Sequence, residues 1–197
     1  MKRIGILGDI GSGKSYIAKN FGYPVFNADE EVGILYRKDR KVFNKLKKIL
    51  PKYICSFPIN KNEISQAILA NNSNLKKIIK IVHFEIRKKM NIFLKKNTNK
   101  KIVILDIPLL LENKINRKND ILVFIQSKKS NILKRLKKRP NFNQKLLSKF
   151  KNIQLSLDYK KKKSNFIIKN DFTRKSVKKD VKNILTKIYN ERNNIRY

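Results

Sequence analysis

The sequence predicts an α/β protein: a mostly parallel, five-stranded sheet covered by helices on both faces, with an inserted helical lobe. Three observations predict it. Five short apolar runs, rich in β-branched residues, recur at 3–7, 24–26, 101–106, 120–125 and 165–168. Segments of helical period separate them, as in sheets whose strands are joined by crossover helices. Helices over 63–97 interrupt that alternation, which marks them as an insertion.

The elements follow in order. Arg3-Ile4-Gly5-Ile6-Leu7 is a short buried strand ended by glycine, and a helix runs over about 13–21. Pro24-Val25-Phe26 is a second strand, beside the first, leading into Asn27-Ala28-Asp29. From 30 to 50 the pattern is helical, with Val32, Leu35, Val42, Leu46 and Ile49 turned inward and Pro51 as the stop. Residues 51–62, with Pro51 and Pro58, form a loop; helices fill 63–70 and 74–97. The second of these shows Leu75, Ile78, Ile79, Val82, Ile86, Met90 and Phe93 at helical spacing. The period then changes. Residues 101–106 are a near-continuous apolar run ending in Asp106, the pattern of a strand buried on both faces, and 120–125 is another. A helix over 129–138, a break at Pro140, a long polar helix over about 143–163 and a strand at 165–168 complete the core. Thr173 is the expected N-cap of the closing helix. Neither a repeat nor an interdomain linker is visible. The reading is one domain, with a core of about 1–50 and 100–197, a helical lobe of about 51–99 and a lid of about 139–154.

Composition narrows the partners. The chain of 197 residues carries 49 Lys+Arg against 14 Asp+Glu, a net charge of +35. Lysine supplies 39 of those cations and arginine 10, while Lys, Asn and Ile together make up 91 residues. All three have AT-rich codons, and the lysines are scattered from end to end. Readers of nucleic-acid sequence favour arginine forks. Most of the charge is therefore read as compositional drift on solvated faces, with nucleic-acid binding weak, nonspecific and salt-dependent. No apolar run approaches the ~18 residues of a membrane span, and the N-terminus lacks a signal-peptide pattern. Cys55 is the only cysteine, so no internal disulfide can form. The expected location is the cytoplasm, with no membrane partner.

One motif carries the chemistry. Gly8-Asp9-Ile10-Gly11-Ser12-Gly13-Lys14-Ser15 matches G-x-x-x-x-G-K-[ST] in full, after a predicted strand and before a predicted helix. Its glycines let backbone N–H groups curl around a phosphate, and the helix N-terminus adds a positive dipole end. Lys14 reaches the β- and γ-phosphates, and the Ser15 hydroxyl is a ligand for Mg²⁺. Nucleotide binding, with ATP and Mg²⁺, is the resulting expectation. Asp29 follows the second strand, and two roles fit it equally: the group that takes the acceptor's proton, or a helix N-cap. Asp106 ends its strand as a Walker-B acid would, with Glu112 six residues on; each can hold Mg²⁺ through water, cap a helix or pair with a lysine. Arg135 and Arg139 lie four apart on one helix face before the break, either clamping the γ-phosphate or lining a surface. His83 has no Cys or His partner at metal-binding spacing, so a packed histidine in the lobe that meets the acceptor is expected. Lys160 to Lys163 reads as a solvated helix face.

Several segments together resemble the dephospho-CoA kinase family. The opening Ile4 to Ser15 is similar to that family's start, and Asn27-Ala28-Asp29 to its Asp-Ala-Asp. His83-Phe84-Glu85-Ile86-Arg87 resembles His-Pro-x-Ile-Arg, and Pro108-Leu109-Leu110-Leu111-Glu112 its Pro-Leu-Leu-x-Glu. Arg135, Arg139, Gln154, Lys160 and Asn170 fall at similar spacings. Asn27 replaces an Asp, Gly33 an Arg or His, Phe84 a proline, and no glycine follows Asn170. Tyr16 stands where Thr is commoner. The resemblance implies a P-loop kinase that phosphorylates the ribose 3′-hydroxyl of dephospho-CoA. Asp29 would be the base, with Lys14 and Arg139 also catalytic. Gly8, Gly11, Ser12, Gly13, Lys14, Ser15, Tyr16 and Arg135 would hold ATP. His83, Arg87, Pro108 and Glu112 would join Asp29 around the acceptor, and Ser15 with Asp106, through water, would hold the metal. Two other classes stay open: a different small-molecule P-loop kinase, such as a nucleoside monophosphate kinase, and a basic nucleic-acid-binding protein.

Overall fold

The computed structural model describes residues 1–140 and 142–193. Asn141, within the expected lid, and residues 194–197 lie outside the described residues. The element order is β1 (Lys2–Gly8), α1 (Lys14–Asn20), β2 (Val25–Asn27), α2 (Ala28–Lys38), α3 (Arg40–Ile49), α4 (Lys61–Ala70), α5 (Asn72–Lys96), β3 (Ile102–Asp106), β4 (Ile121–Gln126), α6 (Lys129–Lys137), α7 (Gln144–Asn152), α8 (Leu157–Lys162), β5 (Phe166–Lys169) and α9 (Arg174–Asn193). These elements form two compact units.

The first unit comprises Met1–Asn27, Asn97–Phe142 and Leu155–Tyr197. It holds one five-stranded sheet in the order β2-β3-β1-β4-β5. Every pairing is parallel. The expectation that β2 lies beside β1 is corrected: β2 pairs with β3, and β1 is central, between β3 and β4. The β-branched runs explain the centre, since strands covered on both faces need apolar side chains at nearly every position. On one face Ile4, Ile6, Ile102, Ile104, Val123, Ile125 and Ile168 pack with Ile17, Ala18 and Phe21 of α1 and Val177, Val181, Ile184 and Ile188 of α9. On the other face the chain comes very close: a Cβ at Gly5 would sit 2.5 Å from Leu110 Cδ2 and 3.0 Å from Leu122 Cδ2. The Pro108–Glu112 segment thus rests on β1 where no side chain stands in its way.

Arg3 and Asp120 form a buried ion pair at 2.9 Å, and Arg3 also donates to Ile115 O at 3.2 Å. Burial raises the Asp120 carboxyl above its ordinary range, against the pull of the Arg117 N–H and of Arg3.

The second unit is helical and comprises Ala28–Lys96 and Asn143–Gln154. The expected lobe of 51–99 is thus one part of a unit that also includes α2, α3 and α7. Its axis is α5, 25 residues long, which buries Leu75, Ile78, Val82, Ile86, Met90 and Leu94 along one stripe. Helices α2, α3 and α4 pack on α5, and α7 packs on α4.

Two expected helices are each divided. The helical pattern of 30–50 is broken at Asp39, which leaves helical geometry and accepts the Val42 N–H at 3.0 Å as the cap of α3. The long helix of 143–163 is broken before Ser156, whose hydroxyl accepts the Tyr159 N–H at 3.2 Å as the cap of α8. Short polar side chains stop a helix by offering the backbone an alternative partner. Thr173 caps α9 as expected, through Ser176 N–H to Oγ1 at 3.4 Å. No helix among the described residues is long and apolar enough to cross a membrane.

Candidate active site

The loop between β1 and α1 is built by its glycines. Gly11 and Gly13 take φ of +85° and +94°, a left-handed backbone that side chains disfavour. Ser12 between them is fully buried, and its N–H donates to Asp9 O at 3.2 Å. Its carbonyl accepts from Ser127 Oγ at 3.1 Å and from Asn170 Nδ2 at 2.8 Å. Gly13 is the N-cap of α1, with no side chain capping the helix and no acidic residue in its first turn. That end keeps its N–H groups and positive dipole for an anion. Lys14 bends back over the loop, donating to Asp9 O at 2.8 Å and Gly8 O at 3.1 Å. Ser15 and Tyr16 follow on the exposed side of the first turn.

Asp106 closes β3, the strand beside β1. It is buried, and Asn27 Nδ2 donates to its Oδ2 at 3.3 Å across the paired ends of β2 and β3. An aspartate at 27, as in the family pattern, would set a second carboxylate here; asparagine supplies a donor instead. The Ser15 hydroxyl and the Asp106 carboxylate are hard oxygen donors following the adjacent strands β1 and β3. That set suits Mg²⁺, which takes few protein oxygens and keeps several waters.

The arginines divide. Arg135 lies on the last turn of α6, with its guanidinium over the Phe172 ring, 4.5 Å from the centroid. Arg139 lies beyond the end of α6, in a turn where its N–H donates to Leu136 O at 3.0 Å, so the two do not share a helix face as expected. Phe172, unremarked in the sequence, holds φ at +67° beside Gly13: a Cβ on that glycine would lie 3.5 Å from Phe172 Cε1.

Glu112 takes the lysine-partner role among its alternatives. Its Oε1 accepts from Lys160 Nζ at 2.8 Å and from the Leu155 N–H at 3.0 Å. This corrects the solvated reading of the 160–163 run at its first member, because Lys160 is only 1% exposed. Pro108, half-buried, opens the same segment.

In the helical unit, α2 opens at Ala28, which puts Asp29 inside its first turn, exposed, and not at the cap. Its N-cap alternative is thereby excluded. His83 and Arg87 lie four residues apart on α5, facing one way. His83 is half-buried and Arg87 exposed. The described residues contain no cluster of three or more His, Cys, Asp or Glu able to hold a metal.

A phosphate loop that leaves the central strand of a parallel sheet and opens a helix N-terminus, with an acid at the end of the neighbouring strand, defines a P-loop nucleotide-binding protein. The family model for dephospho-CoA kinase matches residues 2–176. The chain belongs to the dephospho-CoA kinase family. It is 34% identical over 187 residues to the dephospho-CoA kinase of a Wolbachia from Brugia malayi, covering 92% of this chain and 95% of that one. It is 30% identical over 191 residues to that of Rickettsia bellii, covering 95% and 98%. The fold resembles a crystal structure from Thermus thermophilus with a TM-score of 0.73 at 21% identity, over 94% of this chain and 97% of that one. The dephospho-CoA kinase of Campylobacter jejuni gives a TM-score of 0.61 at 21% identity, over 95% and 97%.

Proposed function

We propose that this kinase transfers the γ-phosphoryl group of ATP to the ribose 3′-hydroxyl of dephospho-CoA, giving ADP and coenzyme A. The observation that carries the proposal is a complete phosphate loop, set at the head of α1, in a chain that matches the dephospho-CoA kinase model over residues 2–176. The remaining roles extend from it. Backbone N–H groups of Gly11 to Ser15 cradle the phosphates, and Lys14 exchanges its two loop carbonyls for phosphate oxygens. Arg139 clamps the transferring group, while Arg135 and Tyr16 belong to the nucleotide side. Asp29 accepts the proton of the 3′-hydroxyl as the new O–P bond forms and the bond to the β–γ bridging oxygen breaks. His83, Arg87, Pro108 and Glu112 serve the acceptor side, Glu112 through its hold on Lys160. Ser15, and Asp106 through water, would hold Mg²⁺, which neutralises phosphate charge when bound. The reaction belongs in the cytoplasm, and contacts with nucleic acid are incidental to it.

The test is mass analysis of products after mixing protein, ATP, Mg²⁺ and dephospho-CoA. ADP and coenzyme A are expected. Phosphorylation of a nucleoside monophosphate, with dephospho-CoA left unchanged, overturns the assignment of acceptor.

A further inference from the structure

The phosphate loop is gripped from the sheet side. Asn170 follows β5 and is buried; its backbone N–H donates to Gln126 O at 2.8 Å, fixing it against the end of β4. Its side-chain Oδ1 accepts the Phe172 N–H at 2.9 Å, which leaves Nδ2 to donate to Ser12 O at 2.8 Å. Ser127, just past β4, donates its hydroxyl to the same carbonyl at 3.1 Å. The approach is close enough that a Cβ on Gly13 would lie 2.5 Å from Asn170 Nδ2. In a trans peptide the carbonyl and the following N–H point to opposite sides. Holding the Ser12 carbonyl toward Asn170 and Ser127 therefore turns the Gly13 N–H away from them.

We propose that Asn170, assisted by Ser127, is a positioning residue for phosphoryl transfer: it locks the Ser12–Gly13 peptide with the Gly13 N–H presented to the phosphates. A loop peptide free to flip would present a carbonyl oxygen to the anion instead. The proposal rests on the kinase reading above, but on its nucleotide half only.

The experiment measures binding of ATP and of inorganic tripolyphosphate by calorimetry to the full chain, the Asn170→Asp variant and the Ser127→Ala variant. Aspartate keeps the acceptor for the Phe172 N–H and replaces the donor to Ser12 O with an oxygen. Asn170→Asp should weaken both probes about equally, by roughly 10-fold or more, as expected for losing a buried hydrogen bond and leaving an acceptor unpaired. Ser127→Ala should weaken both by about 2- to 10-fold, one hydrogen bond's worth. The KM for dephospho-CoA should stay as it is. Unchanged tripolyphosphate affinity in Asn170→Asp overturns the proposal, and so does a loss confined to ATP, which would assign Asn170 to propping Phe172. If Asn170→Asp does not fold, Ser127→Ala decides on the same criterion. Failure of the unmodified protein to bind either probe overturns the kinase reading as well. Binding of both without formation of coenzyme A overturns the acceptor assignment alone.

Discussion

Lys14 holds its ammonium against two carbonyls of its own loop, Asp9 and Gly8, so the charge is already delivered to the place where phosphate arrives. Replacing it with alanine should lower turnover by roughly 10²-fold or more, about 2.7 kcal/mol, the size of one strong electrostatic stabiliser. Steady-state kinetics with dephospho-CoA checks this; near-normal turnover counts against the loop assignment. Asp29 makes a separate forecast. Since it lies inside α2 and not at its cap, Asp29→Asn keeps size and shape and removes the basic carboxylate. Turnover should fall by ~10²–10⁴-fold, the usual weight of a general base, with ATP affinity unchanged by calorimetry. Normal turnover would move the search for the base elsewhere, Asp106 first. The loop was legible because its four fixed positions, Gly8, Gly13, Lys14 and Ser15, fall within eight consecutive residues. Its bracing by Asn170 was not, because 158 positions separate Asn170 from Ser12 and no periodicity links an amide to a distant carbonyl.

Among the elements, α8 is tied to the segment after β3 by one buried pair, Glu112 with Lys160. Removing one partner strands a buried charge, which costs about 3–5 kcal/mol, whereas a well-packed apolar pair in both places is often neutral or better. Lys160→Met should therefore lower the denaturation midpoint sharply, and adding Glu112→Leu should restore most of it. An undiminished midpoint in Lys160→Met would show the pair to be dispensable. A smaller effect is expected at Asp39→Ala, about 1 kcal/mol for a lost cap, read from the same denaturation curves. Asp39, together with Ser156, also marks where the sequence misled. Apolar periodicity runs smoothly from α2 into α3 and from α7 into α8, so each pair reads as one helix. The breaks come from Asp39 and Ser156 taking backbone N–H groups, a one-residue event that periodicity averages away. Lys160 misled for a related reason: in a run of four lysines, only the packing around Glu112 distinguishes the first. The sheet strands, by contrast, declared themselves through continuous β-branched runs. Their order did not, since nothing local says that β2 meets β3 before β1.

For the whole molecule, +35 on 197 residues is a large self-repulsion. Salt screens it, with a Debye length of about 10 Å at 0.1 M, so the thermal midpoint should rise between low and moderate ionic strength. A falling midpoint would mean that attractive pairs dominate. The same charge predicts RNA binding that is nonspecific and falls steeply with salt; submicromolar, sequence-selective binding at ~150 mM salt would contradict it. The central place of β1 carries a further consequence, one of timing. This strand is synthesised well before its partners, which begin at Ile102 and Ile121. At about 5–20 residues per second, the nascent chain carries an unpaired strand, apolar from Ile4 to Leu7, for many seconds. Shielding during synthesis falls to chaperones or to the positive charge that surrounds it.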